Sequence, residues 1–312
     1  MSSVNSKNLD VVTVGHVLMD IRFIVDRFAG PDEEAVIKHN ASSVGGSAAN
    51  VAIGVRRLGG KSGIVAKVGL DNFGRAAIEE LMREGVDVSG IRVGMDSTGF
   101  SVVIIDSQGN IAIYGYKGVA EELYPHEIDE NLIARAKYVH IASLRPDTSI
   151  RAAELAKEHG AKVSWDPGRR LSMLGLENLA DLVKKVDIVL VNEEECFNLT
   201  HERDFRIGAK KIKELGPSIV VVKRGAKGIY VLTDDFEMER PALPVDRVVD
   251  TTGAGDAFAA GLLMGLSRGY RIKRALMYAL AVAALKITRL GSHAIPSHEE
   301  TVRYLWEHYE PE

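Results

Sequence analysis

Short runs of valine and isoleucine, set between stretches of helical periodicity, constrain this chain more than any other feature. The runs are Val11–Val14, Ser62–Val68, Tyr138–Ala142, Lys162–Trp165, Ile188–Val191 and Ile219–Lys223. Each is brief and almost wholly apolar, the pattern of a strand buried on both faces. Between them, Ala48–Leu58, Ala76–Glu84, Ile150–Glu158, Arg206–Leu215 and Ala257–Leu266 carry helical patterns, with Gly, Asp or Asn at the joints. This alternation predicts an α/β fold: a doubly wound, mostly parallel sheet flanked by helices on both faces. Two stretches break the rhythm. Ile21–Ser43 alternates loosely around Gly30-Pro31, and Thr98–Tyr116 reads as a hairpin in which Phe100–Asp106 and Ile111–Tyr116 flank Gln108-Gly109-Asn110. Together they predict a small β lid, about residues 16–43 and 97–117, inserted into a single domain spanning residues 1–312.

Composition narrows the function classes. A chain of 312 residues buries a large core without disulfides or metals. The net charge of −4, with acids and bases interspersed, predicts neither a nucleic-acid nor a membrane partner. The single cysteine, Cys196, cannot form an internal bridge and reads as a small buried hydrophobe. The segment Met1–Asp10 is polar and lacks the apolar core of a signal peptide, and no apolar run is long enough to span a membrane. The expected compartment is the cytoplasm. There is no G-x-x-x-x-G-K-[ST] and no G-x-G-x-x-G after the first strand, which disfavours a P-loop kinase and a dinucleotide dehydrogenase. His16, His140 and His293 lack metal-ligand spacing and read as structural or loop histidines.

The segment Val249–Phe258, Val-Asp-Thr-Thr-Gly-Ala-Gly-Asp-Ala-Phe, carries the strongest local signal. A polar, glycine-rich turn leads into an apolar helix expected to begin near Asp256. The N–H groups of Gly253, Ala254, Gly255 and Asp256 can converge there, making a seat for a phosphate or a developing negative charge. Asp256 reads either as an N-cap or as a general base. A carboxylate repels an anion seated beside it, and the arrangement makes sense where the carboxylate takes the proton of a hydroxyl that attacks that anion.

These residues resemble the ribokinase (PfkB) family of carbohydrate and nucleoside kinases, and the resemblance covers nearly the whole chain. The segment Asp250–Asp256 matches that family's C-terminal signature. Gly45-Gly46-Ser47-Ala48-Ala49-Asn50 matches its N-terminal glycine signature, Gly69-Leu70-Asp71-Asn72-Phe73-Gly74 its G-x-D-x-F-G, and Asn192-Glu193-Glu194-Glu195 its N-x-x-E. Four short patterns in the right order are specific where each alone is weak.

The resemblance implies a ribokinase-like fold with a β-sheet lid, and a role for each matching residue. Asp256 would be the catalytic base, and Gly253, Ala254 and Gly255 the anion hole. Asp20, Gly45, Gly46 and Asn50 would bind the acceptor's hydroxyls. Asn192 and Glu195 would place magnesium and the nucleotide phosphates, Glu195 reaching the magnesium through water. The turn Lys223–Gly228, with Lys223, Gly225 and Gly228, would lie beside the nucleotide, although many members have Thr or Ser where this chain has Lys223. Asp250, Thr252 and Ser292 would enclose a potassium ion.

Each assignment has a plainer counterpart. Asp20 also reads as a solvated loop acid, Asn50 as an exposed polar residue near a helix start, and Asn192 with Glu195 as a capping pair. The Lys223 turn also reads as a simple strand connection.

The acceptor leaves a fainter trace. Arg145 and Arg169 each follow a strand, where open α/β sheets bind ligands, and arginine suits a phosphate or carboxylate. They predict an anionic acceptor, a sugar phosphate or sugar acid, or else they pair with protein acids. Nucleosides such as adenosine or cytidine, and inositols, stay open, as do ATP and ADP as donors. A nucleotide-binding sensor without transfer activity is the alternative class. The exposed edges of a β lid predict a homodimer joined through it.

Overall fold

The apolar runs bury as strands because their residues serve two cores in turn. The computed structural model describes residues 7–309. In the first strand, Val11 packs into one core and Val12 and Val14 into another. Leu190 and Val221 face the first core, while Val189, Val191, Val220 and Val222 face the second. Alternate side chains leave opposite faces of a strand, so an uninterrupted apolar run needs a helical layer on each side. Ser47–Arg57, Ala254–Ser267 and Ile272–Ile287 are the main helices of one layer; Pro146–Glu158, Leu176–Val183, Glu193–Thr200 and Phe205–Glu214 belong to the other.

The strands in chain order are β1 (Leu9–Gly15), β2 (Leu18–Val25), β3 (Ile37–Gly45), β4 (Ser62–Gly69), β5 (Asp87–Gly94), β6 (Thr98–Ile105) and β7 (Ile111–Gly118). They continue with β8 (Ala136–Ala142), β9 (Lys162–Asp166), β10 (Ile188–Asn192), β11 (Ile219–Lys223), β12 (Ile229–Thr233) and β13 (Glu237–Arg240). Nine of them form one sheet in the order β13-β12-β11-β10-β9-β8-β1-β4-β5. Its pairings are parallel from β5 to β11, and β12 and β13 close one edge antiparallel. The remaining four form the lid, in the order β3-β2-β6-β7. Within it β2 and β6 run parallel, and the two flanking pairs are antiparallel.

Strand order turns back at β1, whose neighbours β4 and β8 continue the chain in opposite directions across the sheet. A crevice opens at such a point, outside the carboxyl ends of the strands. Gly15, Ala142 and Asp166 stand in register at those ends, and Asn192 is paired with Lys223. The lid chains leave the core next to that crevice, β2 just after β1 and β6 just after β5.

Candidate active site

The base sits at the start of the helix Ala254–Ser267. The helix opens two residues ahead of the expected position, with Gly253 as N-cap and no side-chain capping bond. Asp256 is therefore the third helical residue, which removes the N-cap reading. Its Oδ2 accepts a hydrogen bond from the Asn50 amide at 2.7 Å. Burial pushes its carboxyl up to about 6 against the pull of the Asn50 amide; nearby Asp166 adds to the rise, and Lys223 and the Ser47 hydroxyl oppose it.

The turn before it differs from expectation at one donor. The Ala254 N–H is spent on the Thr251 carbonyl at 3.1 Å, whereas those of Gly253, Gly255 and Asp256 make no hydrogen bond among the described residues. Three amides and a helix N-terminus thus face the crevice. Gly253 has φ +75°, and a Cβ there would stand 3.1 Å from Ser292 Cβ, so the turn needs glycine for conformation and for space.

Lys223, at the end of β11, reaches into the same place. Its ammonium bonds Asp166 at 2.5 Å and lies 3.3 Å from where a Gly255 Cβ would be. Burial works against its charge, but Asp166, Glu195 and Asp256 outweigh burial and raise its pKa. The plain-turn reading therefore misses a cation held beside the amides. Gly225 and Gly228 form the short turn after it, with φ +56° and +90°.

Asn192 and Glu195 make a reciprocal cap on the helix Glu193–Thr200, each side chain bonding the other's backbone N–H at 2.8 Å. The capping reading holds, and the pair still borders the crevice. Burial and the neighbouring Asp166 raise the Glu195 carboxyl, with Lys223 opposing.

On the lid side, Asp20 is half-buried on β2 rather than solvated in a loop, and accepts from the Ser101 hydroxyl of β6. Gly45 passes so close that a Cβ would lie 2.1 Å from the Asp20 carboxylate. Gly46, at φ +94°, lets the chain pass the His16 carbonyl, which a Cβ would approach to 2.4 Å. Asn50 is buried, not exposed. Its amide is engaged at both ends, by Asp256 and by His293 Nε2 at 3.0 Å, so it holds the base before it meets any acceptor.

The two predicted arginines are tied elsewhere. Arg145 bonds Asp147 at 2.6 and 2.9 Å and stacks over Tyr124, and Arg169 is largely exposed and pairs with Glu194 at 3.3 Å. Both pair with protein acids. A cation that feels Asp20 and was not singled out in the sequence is Lys117. Lys117, at the end of the lid hairpin, feels Glu121, Arg170 and Asp20; burial lowers its pKa, and the two acids oppose that. Arg170 bonds Glu121 at 3.0 Å, and His16 Nε2 lies 3.5 Å from the same carboxylate. Burial, with Lys117 and Arg170 adding to it, lowers His16 to about 3. The position of Lys117, one residue past the predicted strand, was the available signal.

Asp250, Thr252 and Ser292 come together behind the turn. Asp250 Oδ1 accepts from the Thr252 N–H at 2.9 Å, and Ser292 packs against Gly253. Among the described residues no three His, Cys, Asp or Glu side chains group as metal ligands, and no helix is long and apolar enough to cross a membrane. Magnesium would fit such a site only with water and phosphate as most of its ligands.

This geometry agrees with comparison to known proteins. Residues 8–299 match the model of the pfkB family carbohydrate kinases. An ATP-dependent ribose-1-phosphate kinase of Halopiger xanaduensis is 37% identical over 301 residues, covering 96% of this chain and 99% of that protein. A nucleoside kinase of Methanothermobacter thermautotrophicus is 33% identical over 300 residues, covering 96% of each. Among solved structures, the Arabidopsis thaliana ribokinase complexed with ribose and ATP matches with a TM-score of 0.86 at 26% identity, covering 95% of this chain and 98% of that one.

Proposed function

The chain belongs to the pfkB family of carbohydrate kinases, and on that premise we propose that it moves the terminal phosphate of ATP to a hydroxyl of a sugar bearing an anionic group. One observation carries the reading: Asp256, a half-buried carboxylate, stands at the same helix start as three unbonded amides and the Lys223 ammonium. The acceptor O–H gives its proton to Asp256 as its oxygen forms a bond to the terminal phosphorus. The bond from that phosphorus to the bridging oxygen breaks, and ADP leaves. Charge on the transferring group meets the N–H groups of Gly253 and Gly255 and the Lys223 ammonium. Magnesium, when bound, neutralises the phosphate charge.

Support for an anionic acceptor comes from Lys117, whose charge feels Asp20, and from the likeness to a ribose-1-phosphate kinase. Asp20 accepts from sugar hydroxyls, while this cation suits a phosphate or carboxylate on the same molecule. Gly225 and Gly228 let the nucleotide pass close to the backbone. We also propose that two copies associate through the lid.

The test is a transfer screen with magnesium. It crosses ATP and ADP with ribose 1-phosphate, fructose 6-phosphate, ketodeoxygluconate, ribose, myo-inositol, adenosine and cytidine. Turnover of an anionic sugar with ATP is the expected outcome. Dominant turnover of a neutral nucleoside overturns the acceptor class, and nucleotide binding without transfer to any of them overturns the kinase reading in favour of a sensor.

A further inference from the structure

In the potassium loop implied by the family resemblance, a side-chain ammonium already occupies part of the oxygen set. A potassium cage needs several oxygens whose lone pairs turn inward. Here the Asp250 oxygens and two backbone carbonyls of the loop each already accept a proton, while the Thr252 and Ser292 oxygens make no hydrogen bond among the described residues. Asp250 Oδ1 takes the Thr252 N–H and Oδ2 the Gly291 N–H, each at 2.9 Å. The Ile287 carbonyl takes the Val249 and Asp250 N–H groups at 2.7 and 3.1 Å, and the Gly291 carbonyl takes that of Ala294 at 3.2 Å. The third oxygen of Asp250, its carbonyl, is bonded at 2.8 Å by the ammonium of Lys286.

We propose that the Lys286 ammonium is a built-in cation that stands in for potassium behind the anion-hole turn, so that this kinase works without a monovalent metal ion. The inference rests on the kinase reading above. Lys286 has no solvent exposure, and a buried ammonium is costly unless acidic or carbonyl oxygens compensate it. It lies in the last turn of the helix Ile272–Ile287, where the carbonyl ends of a helix favour a cation. Asp250 and Asp256 attract it, and Arg22 of β2 repels it; burial lowers its pKa, and the two carboxylates oppose that. A metal cation entering the loop would meet two positive neighbours, Lys286 and Arg22.

The bond also acts where potassium would act. Lys286 holds the Asp250 carbonyl, Asp250 holds the Thr252 N–H, and the Thr251 carbonyl holds the Ala254 N–H. The ammonium thus anchors the turn that presents Gly253 and Gly255.

The test measures the affinity of a non-hydrolysable ATP analogue with magnesium, and turnover on the acceptor identified by the screen. Each is measured in tetramethylammonium chloride and in potassium chloride at equal ionic strength. For the native chain both quantities should be the same in the two salts. Lys286→Met should lose roughly tenfold in tetramethylammonium and regain part of it in potassium, within the usual range of coupling between linked sites. Potassium activation of the native chain overturns the proposal. So does a folded Lys286→Met protein that performs equally in both salts. The native comparison decides the matter alone if the variant does not fold, and the binding arm decides it without any acceptor.

Discussion

As the proposed base, Asp256 would work only in the form its surroundings disfavour. Burial raises its carboxyl to about 6, so the group is protonated and idle below that pH and ionised above it. The sign follows: kcat/KM should climb with pH through about 6 and level off beyond it, which a pH profile checks. The Asn50 amide resists the rise, and its direction is set by His293. A proton on His293 Nε2 fixes the Asn50 carbonyl, which turns the Nδ2 group towards Asp256. The other ring nitrogen lies 3.4 Å from Glu80, whose second oxygen accepts the Val44 N–H at 2.9 Å. His293→Ala should let the amide turn over and move the acid limb up by roughly one pH unit, the worth of one hydrogen bond to a charged group. His293→Gln, which can still donate, should restore it. An unmoved limb in a folded His293→Ala protein contradicts this positioning role. Asp256 was legible in the sequence because glycine turns and apolar helix starts are local patterns. His293 was read as a plain loop residue because its bond to Asn50 spans 243 positions, a distance that no spacing reveals.

The lid shows the same division between local and distant information. Its hairpin was visible because the alternating strands flank a short polar turn; Gly109 holds φ +84° there, as a tight turn requires. The pairing of β2 with β6 was not visible, since register between distant segments depends on tertiary packing. In the core, β5 and β13, and with the latter its neighbour β12, escaped the sequence reading. Gly90 interrupts the first, and the second is the polar edge segment Glu237–Arg240. The outer lid strand β7 exposes Ile111 and Ile113 on one face and Tyr114 and Tyr116 on the other, along an edge with no further strand among the described residues. Such an edge invites pairing with a second copy. Sedimentation at micromolar concentration should show a dimer, and charged substitutions at Ile113 and Tyr114 should shift it to monomer. A native chain that sediments as a monomer contradicts the lid interface.

At the scale of the molecule, two sheets of unlike build meet at one crevice. The large sheet supplies Asp166, Asn192 and Lys223 from its strand ends and, through the helices packed on it, Asn50 and Asp256. The lid supplies Asp20 and Lys117. The fold class followed from the alternation of apolar runs, whose physics is that of burial on two faces. The neighbourhood of Asp20 did not follow, because its nearness to Lys117 and Ser101 depends on the tertiary pairing of the lid strands. The sequence analysis singled out Arg145 and Arg169 because each follows a strand, but strand ends do not tell which way a long side chain turns. The central claim is that this arrangement transfers phosphate with Asp256 as base. Its most direct measurement is single-turnover transfer from ATP by the native chain and by Asp256→Asn, with nucleotide affinity measured in parallel. Asp256→Asn should keep nucleotide affinity unchanged and lower the rate by about two to four orders of magnitude, the usual worth of a general base. Transfer at a near-native rate by Asp256→Asn would contradict it.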